Sequence, residues 1–295
     1  MKMERGLLRK GIGGFYYVEA ADTIYEAKAR GIFRKRGITP LAGDIVDISI
    51  EEDGTCTIEE ICERKNSLVR PPVANLDQLF LVVSVLHPSP NLLVLDKMLA
   101  GAEEKGISPV IVFSKTDLED CSEYLEIYQK TGIPVLTVSS VTGDGVERVR
   151  ELLQGKLSAF SGNSGVGKSS LLNRLDEQLS LPTAEISQKL GRGRHTTRQV
   201  ELLKLGPDTY VADTPGFSSV DMIQTELIRK ENLAHDFREF APYLDQCRFP
   251  SCSHTKEKGC AVLAALQEGK IAPSRHQSYV SMYDEIKNIK EWELK

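Results

Sequence analysis

Abundant cysteine, long apolar runs and an excess of basic charge are all missing from this sequence. Its 6 cysteines in 295 residues are too sparse for a disulfide scaffold. The longest apolar run, Leu79 to Leu86, is far too short to cross a bilayer. The net charge of -5 excludes a uniformly basic nucleic-acid binder, but it does not exclude a local basic patch. No apolar stretch follows the first charges, so we expect no signal peptide and a soluble, cytoplasmic protein without a membrane partner.

What the sequence does contain divides it into three segments, at 1–66, 67–220 and 221–295. The first has short β-type runs separated by Gly and Pro, namely Phe15–Val18, Thr23–Ala27, Asp44–Ile50 and Thr55–Ile61. Several short strands in so few residues predict a small closed β-barrel. The OB-fold is the commonest five-stranded candidate, and such barrels often bind nucleic acid.

The second segment alternates apolar runs with helical patterns. The runs are Leu79–Val85, Pro109–Phe113, Pro134–Val138, Leu157–Phe160, Val200–Leu205 and Tyr210–Ala212. Near-continuous apolar strands with helical crossovers predict an α/β domain whose mostly parallel sheet is covered on both faces. After about Ser219 the β-type runs stop, and the third segment is predicted to be helical around a group of cysteines.

The motif GNSGVGKS in the second segment matches the nucleotide-phosphate pattern G-x-x-x-x-G-K-[ST]. Its glycines let backbone N–H groups turn onto phosphate oxygens, and the following helix adds its positive dipole end. Lys168 is predicted to reach the terminal phosphates and Ser169 to bind Mg²⁺. The predicted phosphate-binding residues are Gly162, Asn163, Ser164, Gly165, Val166, Gly167, Lys168, Ser169 and Ser170.

Three more motifs, SKTD, SSVTGDG and DTPG, follow the predicted strands that end at Phe113, Val138 and Ala212, so they should lie at the same edge of the sheet. In SKTD, the Asp117 carboxylate can accept hydrogen bonds from the donor edge of guanine, which selects GTP over ATP, and the Lys115 stem can lie along the base. In DTPG, Asp213 is placed to orient Mg²⁺, and the Gly216 N–H to sense the γ-phosphate. The predicted base pocket comprises Ser114, Lys115, Thr116, Asp117, Ser139 and Ser140.

The third segment contains the pattern C-x4-C-x-H-x5-C. Three thiolates and one imidazole form a closed tetrahedral set, which is typical of one structural Zn²⁺ rather than of a catalytic metal. The predicted ligands are Cys247, Cys252, His254 and Cys260. His235 and His276 lie outside this window, and we expect them to have no part in it.

Together these motifs resemble the circularly permuted GTPases of the ribosome-assembly type called RsgA. The resemblance covers nearly the whole chain, through RGIFRKRGITPLAGD, RPPVANLDQ, SKTD, GNSGVGKSSLLN, GRGRHTTR, DTPGF and the cysteine cluster. In that family, too, the base loops precede the phosphate loop. One departure is Ser114, where the family has an Asn that braces both base and phosphate loop. We therefore expect GTP specificity through Asp117 but a modest affinity.

The resemblance also implies a mechanism. Phe217 follows DTPG and cannot activate water, so another group has to do so. The candidate is the segment GRGRHTTR, whose Gly- and Arg-rich composition is typical of a mobile switch loop. By resemblance His195 is the catalytic residue, and Thr196 or Thr197 supplies a hydroxyl for Mg²⁺. The same segment contains Arg192, Arg194 and Arg198. The sequence fits two roles for them equally well, contact with RNA phosphates or exposure to solvent without a partner. The resemblance further implies binding of GTP and GDP and of the small ribosomal subunit with its rRNA, late in subunit maturation, by a chain expected to be monomeric.

A basic segment in the barrel provides a candidate RNA contact, although a solvated turn explains it too. Its residues are Arg30, Arg34, Lys35 and Arg36. Three functions therefore remain open from the residues alone. They are a ribosome-stimulated GTPase, a GTPase switch with a non-ribosomal protein partner, and an RNA-binding module that uses nucleotide only for stability.

Overall fold

A computed structural model describes residues 2–176, 200–213 and 228–288. Its first part is a five-stranded barrel made of β1 (Lys2–Ile12), β2 (Phe15–Ala20), β3 (Thr23–Ala29), β4 (Ile45–Ile50) and β5 (Cys56–Ile61). The strands run in the order β1-β2-β3-β5-β4, and β4 pairs with β1 to close the barrel. The predicted barrel is thus confirmed. Closure leaves no open edge, which a small sheet would otherwise present to other chains.

Strand β1 was not predicted, and its burial explains why. It carries five charged residues. In its middle the fully buried Leu8 packs in the barrel core, whereas the half-buried Leu7 packs against an apolar cluster of the central sheet. Its other side chains lie at the surface or are half-buried. The barrel interior is instead filled by Val18, Val46, Ile48 and Ile58 from the neighbouring strands. A barrel strand with one solvated face does not need a continuous apolar run.

The central sheet has the strand order β10-β9-β8-β11-β13-β12. Its strands are β8 (Gln78–Ser84), β9 (Ser108–Ser114), β10 (Val135–Val138), β11 (Leu157–Ser161), β12 (Glu201–Gly206) and β13 (Thr209–Asp213). All pairings are parallel except that of β12 with β13. The short strands β6 (Ser67–Leu68) and β7 (Val73–Ala74) form a separate pair before it. The mostly parallel sheet predicted from the apolar runs is therefore confirmed.

Helices cover both faces of this sheet. They are α2 (Leu92–Glu104), α3 (Ser122–Gln129), α4 (Val146–Leu153) and α5 (Lys168–Leu175), while the short α1 (Gly31–Lys35) belongs to the barrel. One apolar cluster joins α2 and α3 to one face, and a second joins α4 and α5 to the other. Within the second cluster the rings of Phe80 and Phe160 stack with centroids 4.7 Å apart. Two-sided burial is the reason that these strands have near-continuous apolar sequences.

Local sequence sets the limits of α2, the helix that faces the C-terminal region. The Asn91 side chain caps its start by accepting a hydrogen bond from the Val94 N–H at 3.1 Å. Gly106 follows its end with a φ of 65°, and its N–H donates to the Glu103 carbonyl. Asn91 and Gly106 therefore set where α2 begins and ends.

The described C-terminal residues form a 3-10 helix (Arg238–Gln246), α6 (Ala261–Gln267) and α7 (Pro273–Ile286) around an aromatic core. The rings of Phe237, Phe240 and Tyr279 contact one another in that core, and α2 contributes Ala100. The helical character predicted for this segment is confirmed, whereas the domain boundaries at 66 and 220 stay predictions. In the described ranges, no helix has both the length and the apolar character that spanning a membrane requires.

A buried carboxyl at the contact between α2 and the C-terminal region predicts a pH dependence of stability. Burial, with Glu104 and Glu103 of α2 nearby, raises the pKa of Asp236 to about 8. Arg238 pairs with Glu103 at 2.5 Å, and Asn232 donates to Glu104 at 3.1 Å. A carboxyl with a raised pKa in the fold stabilises it while protonated. That stability is lost as the pH rises from the ordinary Asp value, about 4, through about 8.

We therefore expect the melting temperature of the unmodified protein to fall between pH 5.5 and pH 8.5, and Asp236→Asn to flatten that fall. Thermal unfolding at constant ionic strength measures this. Asp245→Asn is the matched control, because Asp245 is exposed in the same region and should leave the slope unchanged. Equal slopes for Asp236→Asn and the unmodified protein would contradict the assignment.

Candidate nucleotide-binding site and metal cluster

The loops singled out in the sequence meet at one edge of the central sheet. Ser114 at the end of β9 is in register with Ser84 of β8 and with Val138 of β10. On the other side of β8, β11 runs parallel and ends at Ser161, directly before the phosphate loop. Because parallel strands bring their carboxyl ends to the same side, the base loops and the phosphate loop are neighbours in space.

The phosphate loop requires glycine where it leaves the sheet. Gly162 has a φ of 148°, and a Cβ there would lie 2.2 Å from the Val82 carbonyl oxygen of the adjacent strand. A side chain would therefore push the loop off the sheet. Gly167, with a φ of 95°, precedes the first residue of α5, so the chain turns into a helix with its N-terminal end at the loop.

Lys168 lies inside this loop. Its ammonium donates to the carbonyls of Gly162 and Asn163 at 2.6 and 2.9 Å, which holds it within the curve of the backbone. Burial lowers the pKa of Lys168 to about 8. A cation in a partly dehydrated loop is strongly attracted to an anion, because little water has to be displaced before they meet.

Ser114 connects the base loop with the phosphate loop. Its hydroxyl is buried and lies 2.6 Å from the Val166 carbonyl oxygen, with the Val83 carbonyl farther away at 3.3 Å. The sequence indicated only that Ser114 stands where the family has an Asn. The structure shows that this short side chain reaches the phosphate loop directly.

The remaining base-loop residues surround the same edge. Lys115, whose φ is 60°, donates from its ammonium to the His87 carbonyl at 2.6 Å. Asp117 is exposed, so its carboxylate is available to a ligand. The buried Ser139 hydroxyl accepts from the N–H groups of Val141 and Thr142, which rigidifies the SSVTG turn. Thr116 and Ser140 lie beside these residues at partly exposed positions.

Asp213 ends β13, which pairs in parallel with β11. Burial raises the pKa of Asp213, and the cross-strand neighbour Glu201 adds to this. A carboxylate in that environment is stabilised by a nearby cation. The other predicted switch residues, His195, Thr196, Thr197 and Gly216, lie outside the described residues, as do Arg192, Arg194 and Arg198.

The three cysteines and His254 come together as one cluster. Their ligand atoms all lie within 4.8 Å of one another. The Sγ atoms of Cys247 and Cys260 are 3.9 Å apart, and each lies 3.5 Å from Nδ1 of His254. A tetrahedral metal with bonds of about 2.3 Å to sulfur and 2.05 Å to nitrogen gives edges of about 3.8 and 3.6 Å. The donor set therefore fits a four-coordinate metal, with Nδ1 as the histidine ligand.

The surroundings of the cluster are built to hold that arrangement. Burial, together with the neighbouring thiols, raises the pKa of Cys252 to about 12, so the Cys252 thiolate is poorly stable without a cation. The Cys247 Sγ accepts a hydrogen bond from the Ala261 N–H at 3.3 Å. Glu257 accepts from the N–H groups of Ser253, Thr255 and Lys256, which closes the loop around His254.

His276 was wrongly predicted to have no part in this site. Its Nε2 lies 2.8 Å from the His254 carbonyl oxygen, and the neighbouring Tyr279 hydroxyl donates to the Ser253 carbonyl at 2.9 Å. Both come from α7, so that helix supports the backbone that carries the histidine ligand. A side chain that fixes a ligand from outside the coordination sphere leaves no spacing pattern in the sequence.

The basic segment of the barrel is exposed in α1 and just beyond it. Arg34, Lys35 and Arg36 lie at the surface. Arg30, however, pairs with Glu59 of β5 at 2.9 Å. No acidic residue lies between positions 30 and 36 of the sequence, but the pairing of β3 with β5 brings Glu59 next to Arg30. Arg34, Lys35 and Arg36 are therefore the better candidates for contact with an anionic partner.

A phosphate loop on a parallel sheet, with its base loops earlier in the chain, defines a phosphate-loop nucleotide-binding protein of permuted order. Comparison with known proteins gives the family. A family model described as RsgA GTPase matches residues 61–223, and one described as RsgA N-terminal domain matches residues 5–58. The chain belongs to the RsgA GTPase family, and the GTPase class predicted from the sequence is confirmed.

Relatives of this family match along nearly the full length. The chain is 46% identical to the small ribosomal subunit biogenesis GTPase RsgA of Alkaliphilus metalliredigens, over 97% of this chain and 98% of the relative. The crystal structure of YjeQ from Thermotoga maritima matches with a TM-score of 0.84 at 36% identity, covering 98% of this chain and 100% of that one. YloQ, described as a circularly permuted GTPase, matches with a TM-score of 0.80 at 36% identity, over 98% and 96%.

Proposed function

We propose that this protein hydrolyses GTP while bound to the small ribosomal subunit, assists a late step of subunit maturation, and is stimulated by the subunit. The observation that carries the nucleotide part is the convergence of the phosphate loop, SKTD and SSVTG at one sheet edge. The subunit part is supported by full-length relatives named as small ribosomal subunit biogenesis GTPases. The barrel with its exposed Arg34, Lys35 and Arg36 provides a surface for rRNA phosphates. This function places the protein in the cytoplasm; that it acts as a monomer stays a prediction.

Different groups of the chain are proposed to bind the phosphates, the guanine base and Mg²⁺. Backbone N–H groups of the loop from Gly162 to Ser169 and the Lys168 ammonium hold the phosphates, and Asp117 accepts from the donor edge of guanine. The Ser169 hydroxyl and Asp213 are proposed to hold Mg²⁺ with GTP, which supplies charge neutralisation at the β- and γ-phosphates. From the sequence we further expect Thr196 or Thr197 to supply a hydroxyl to Mg²⁺. We expect His195 to be the catalytic residue.

One Zn²⁺ is proposed for the Cys247, Cys252, His254 and Cys260 cluster. Three sulfurs and one imidazole nitrogen at tetrahedral spacing suit zinc, and no ligand position remains open for water. The ion is therefore structural. It would hold the loop that α7 supports and present the C-terminal region in one conformation to a partner.

GTP turnover measured with and without purified small subunits tests the proposal. We expect slow turnover alone and strong stimulation by small subunits, because a switch that a partner orders raises the rate of hydrolysis. Lys168→Ala should weaken GTP binding by about 10- to 100-fold, since it removes a charge-assisted contact of roughly 1.5–3 kcal/mol. The matched control is Lys156→Ala, at the opposite end of β11.

The other outcomes point to the alternatives. Turnover that small subunits leave unchanged would favour a switch with a different protein partner. Binding to small subunits without any turnover would favour an RNA-binding module that uses nucleotide for stability. His195→Ala should abolish the stimulated turnover and leave nucleotide binding intact.

A further inference from the structure

The hydroxyl of Ser114 has its hydrogen-bonding capacity committed inside the protein. Serine has one O–H donor, and here both nearby partners are backbone carbonyl acceptors, Val166 at 2.6 Å and Val83 at 3.3 Å. The residue is only 3% exposed. Its single proton is therefore given to the Val166 carbonyl, the much closer of the two acceptors.

This bond joins two loops that are 52 residues apart in the chain. Ser114 is the last residue of β9 and the first of the base loop, whereas Val166 lies in the phosphate loop two residues before Lys168. The Val166 side chain is itself buried in the apolar cluster beneath the loop. The bond thus fixes the spacing between the part of the site that meets the base and the part that meets the phosphates.

Guanine offers a protein two kinds of edge. One carries the N1–H and N2 amine donors, and the other carries the N7 and O6 acceptors. A carboxylate such as Asp117 can only accept, so it can bind the donor edge. Binding N7 requires a donor. For Ser114 to provide it, the hydroxyl would have to leave Val166, and the buried carbonyl would lose its partner.

We infer that Ser114 is a positioning residue that clamps the base loop to the phosphate loop, and that guanine is recognised without a hydrogen bond from this residue to N7. The inference rests on the proposed binding of GTP. The inference also explains how Ser at position 114 differs chemically from the family's Asn. An amide has two N–H donors and can serve the phosphate loop and the purine together, whereas a hydroxyl has to serve one of them.

Competition against a fluorescent GDP analogue tests this with three nucleotides. They are GTP, 7-deaza-GTP, in which a C–H replaces N7, and inosine triphosphate, which lacks the N2 amine. We expect 7-deaza-GTP to bind within about twofold of GTP, since no hydrogen bond to N7 is lost. Inosine triphosphate should bind about tenfold more weakly, since the carboxylate loses one of its two donors.

Variants at position 114 separate the clamp from base recognition. Ser114→Ala should weaken GTP and 7-deaza-GTP by the same factor, about three- to tenfold, because only the clamp is lost. Ser114→Thr keeps the hydroxyl and should restore both affinities. Ser114→Asn supplies a second donor and should create a preference for GTP over 7-deaza-GTP of about fivefold or more.

The outcomes that would overturn the inference differ from those that would overturn the proposed function. A tenfold loss with 7-deaza-GTP in the unmodified protein, or unchanged affinity in Ser114→Ala, would overturn the inference while leaving GTP binding established. Failure of all three nucleotides to compete would overturn the proposed function, and the inference with it.

Discussion

Replacing Cys252 with serine is expected to abolish binding of the proposed zinc ion and to destabilise the C-terminal region. The fourth ligand is lost, and the remaining two thiols and one imidazole do not complete a tetrahedral site. Structural zinc contributes about 10–16 kcal/mol of apparent binding free energy in small zinc-dependent folds, so its loss is among the largest single effects available here. The Cys252 side chain also packs against the aromatic core of this region, which would lose that contact.

The effect should be confined to the C-terminal region. The central sheet has its own two apolar clusters, neither of which contains a residue of the metal cluster. We therefore expect Cys252→Ser to add an early unfolding transition at a lower temperature while affinity for a fluorescent GDP analogue stays close to that of the unmodified protein. Zinc content should fall from about one ion per chain to near zero.

Cys62→Ser is the matched control. Cys62 is a half-buried free cysteine in the barrel region, away from the cluster, so its replacement should leave zinc content and the unfolding profile unchanged. Strong chelation of the unmodified protein should reproduce the profile of Cys252→Ser. A Cys252→Ser protein that retains one zinc ion and unfolds in a single transition at the original temperature would contradict the assignment.

The elements that could be predicted from the sequence are those whose residue pattern is set by a single physical requirement. Strands β8 and β9 are almost entirely apolar because both faces of the sheet are covered, so they are recognisable in the sequence as apolar runs. The loops after them had to share an edge because parallel strands end on the same side. Three cysteines and a histidine so close together in the chain are rarely accidental, so the metal cluster was visible too.

The contacts that could not be predicted join residues distant in the chain. Ser114 meets Val166 only because β9 and β11 both flank β8, which sets the position of one loop against the other. The Glu59 partner of Arg30 depends on the pairing of β3 with β5. His276 supports the metal loop through a backbone carbonyl, which leaves no mark in the sequence. None of these follows from local spacing.

Arg275 makes the most extensive of these contacts between residues distant in the chain. Arginine is mostly a surface residue, yet Arg275 is only 1% exposed and lies between the C-terminal region and α2. Its guanidinium donates to Asp96 at 2.6 Å and to Glu239 at 2.6 and 3.2 Å, and it lies 4.3 Å from the centre of the Phe237 ring. The Tyr128 hydroxyl donates to the same Asp96 oxygen at 2.9 Å.

We expect Arg275→Met to lower the free energy of unfolding by about 3–5 kcal/mol, because it leaves two carboxylates buried without their cation. Arg275→Lys should lose less than Met but remain destabilised, since an ammonium cannot satisfy both carboxylates in the fork geometry of a guanidinium. Urea unfolding, followed by a probe in the C-terminal region and another in the central sheet, measures the loss and shows whether the two regions separate.

A surface pair between the same two elements provides the control. Lys97 of α2 pairs with Glu285 of α7 at 2.7 Å, but Glu285 is 55% exposed at its side chain. Lys97→Met should therefore cost less than about 1 kcal/mol, as exposed ion pairs do. If Arg275→Met cost no more than Lys97→Met, the buried network would not be what holds α7 against α2.

Neutralising the two carboxylates in the Arg275→Met background separates charge from packing. If the loss comes from uncompensated charge, Asp96→Asn with Glu239→Gln should recover more than half of it, since neutral amides cost far less to bury than carboxylates. If the loss comes from the missing guanidinium contacts with Phe237, the amides should recover nothing. The first result would show that charge pairing at Arg275 is what fixes the C-terminal region on the GTPase core. It would appear as a non-additive cycle between contacting residues.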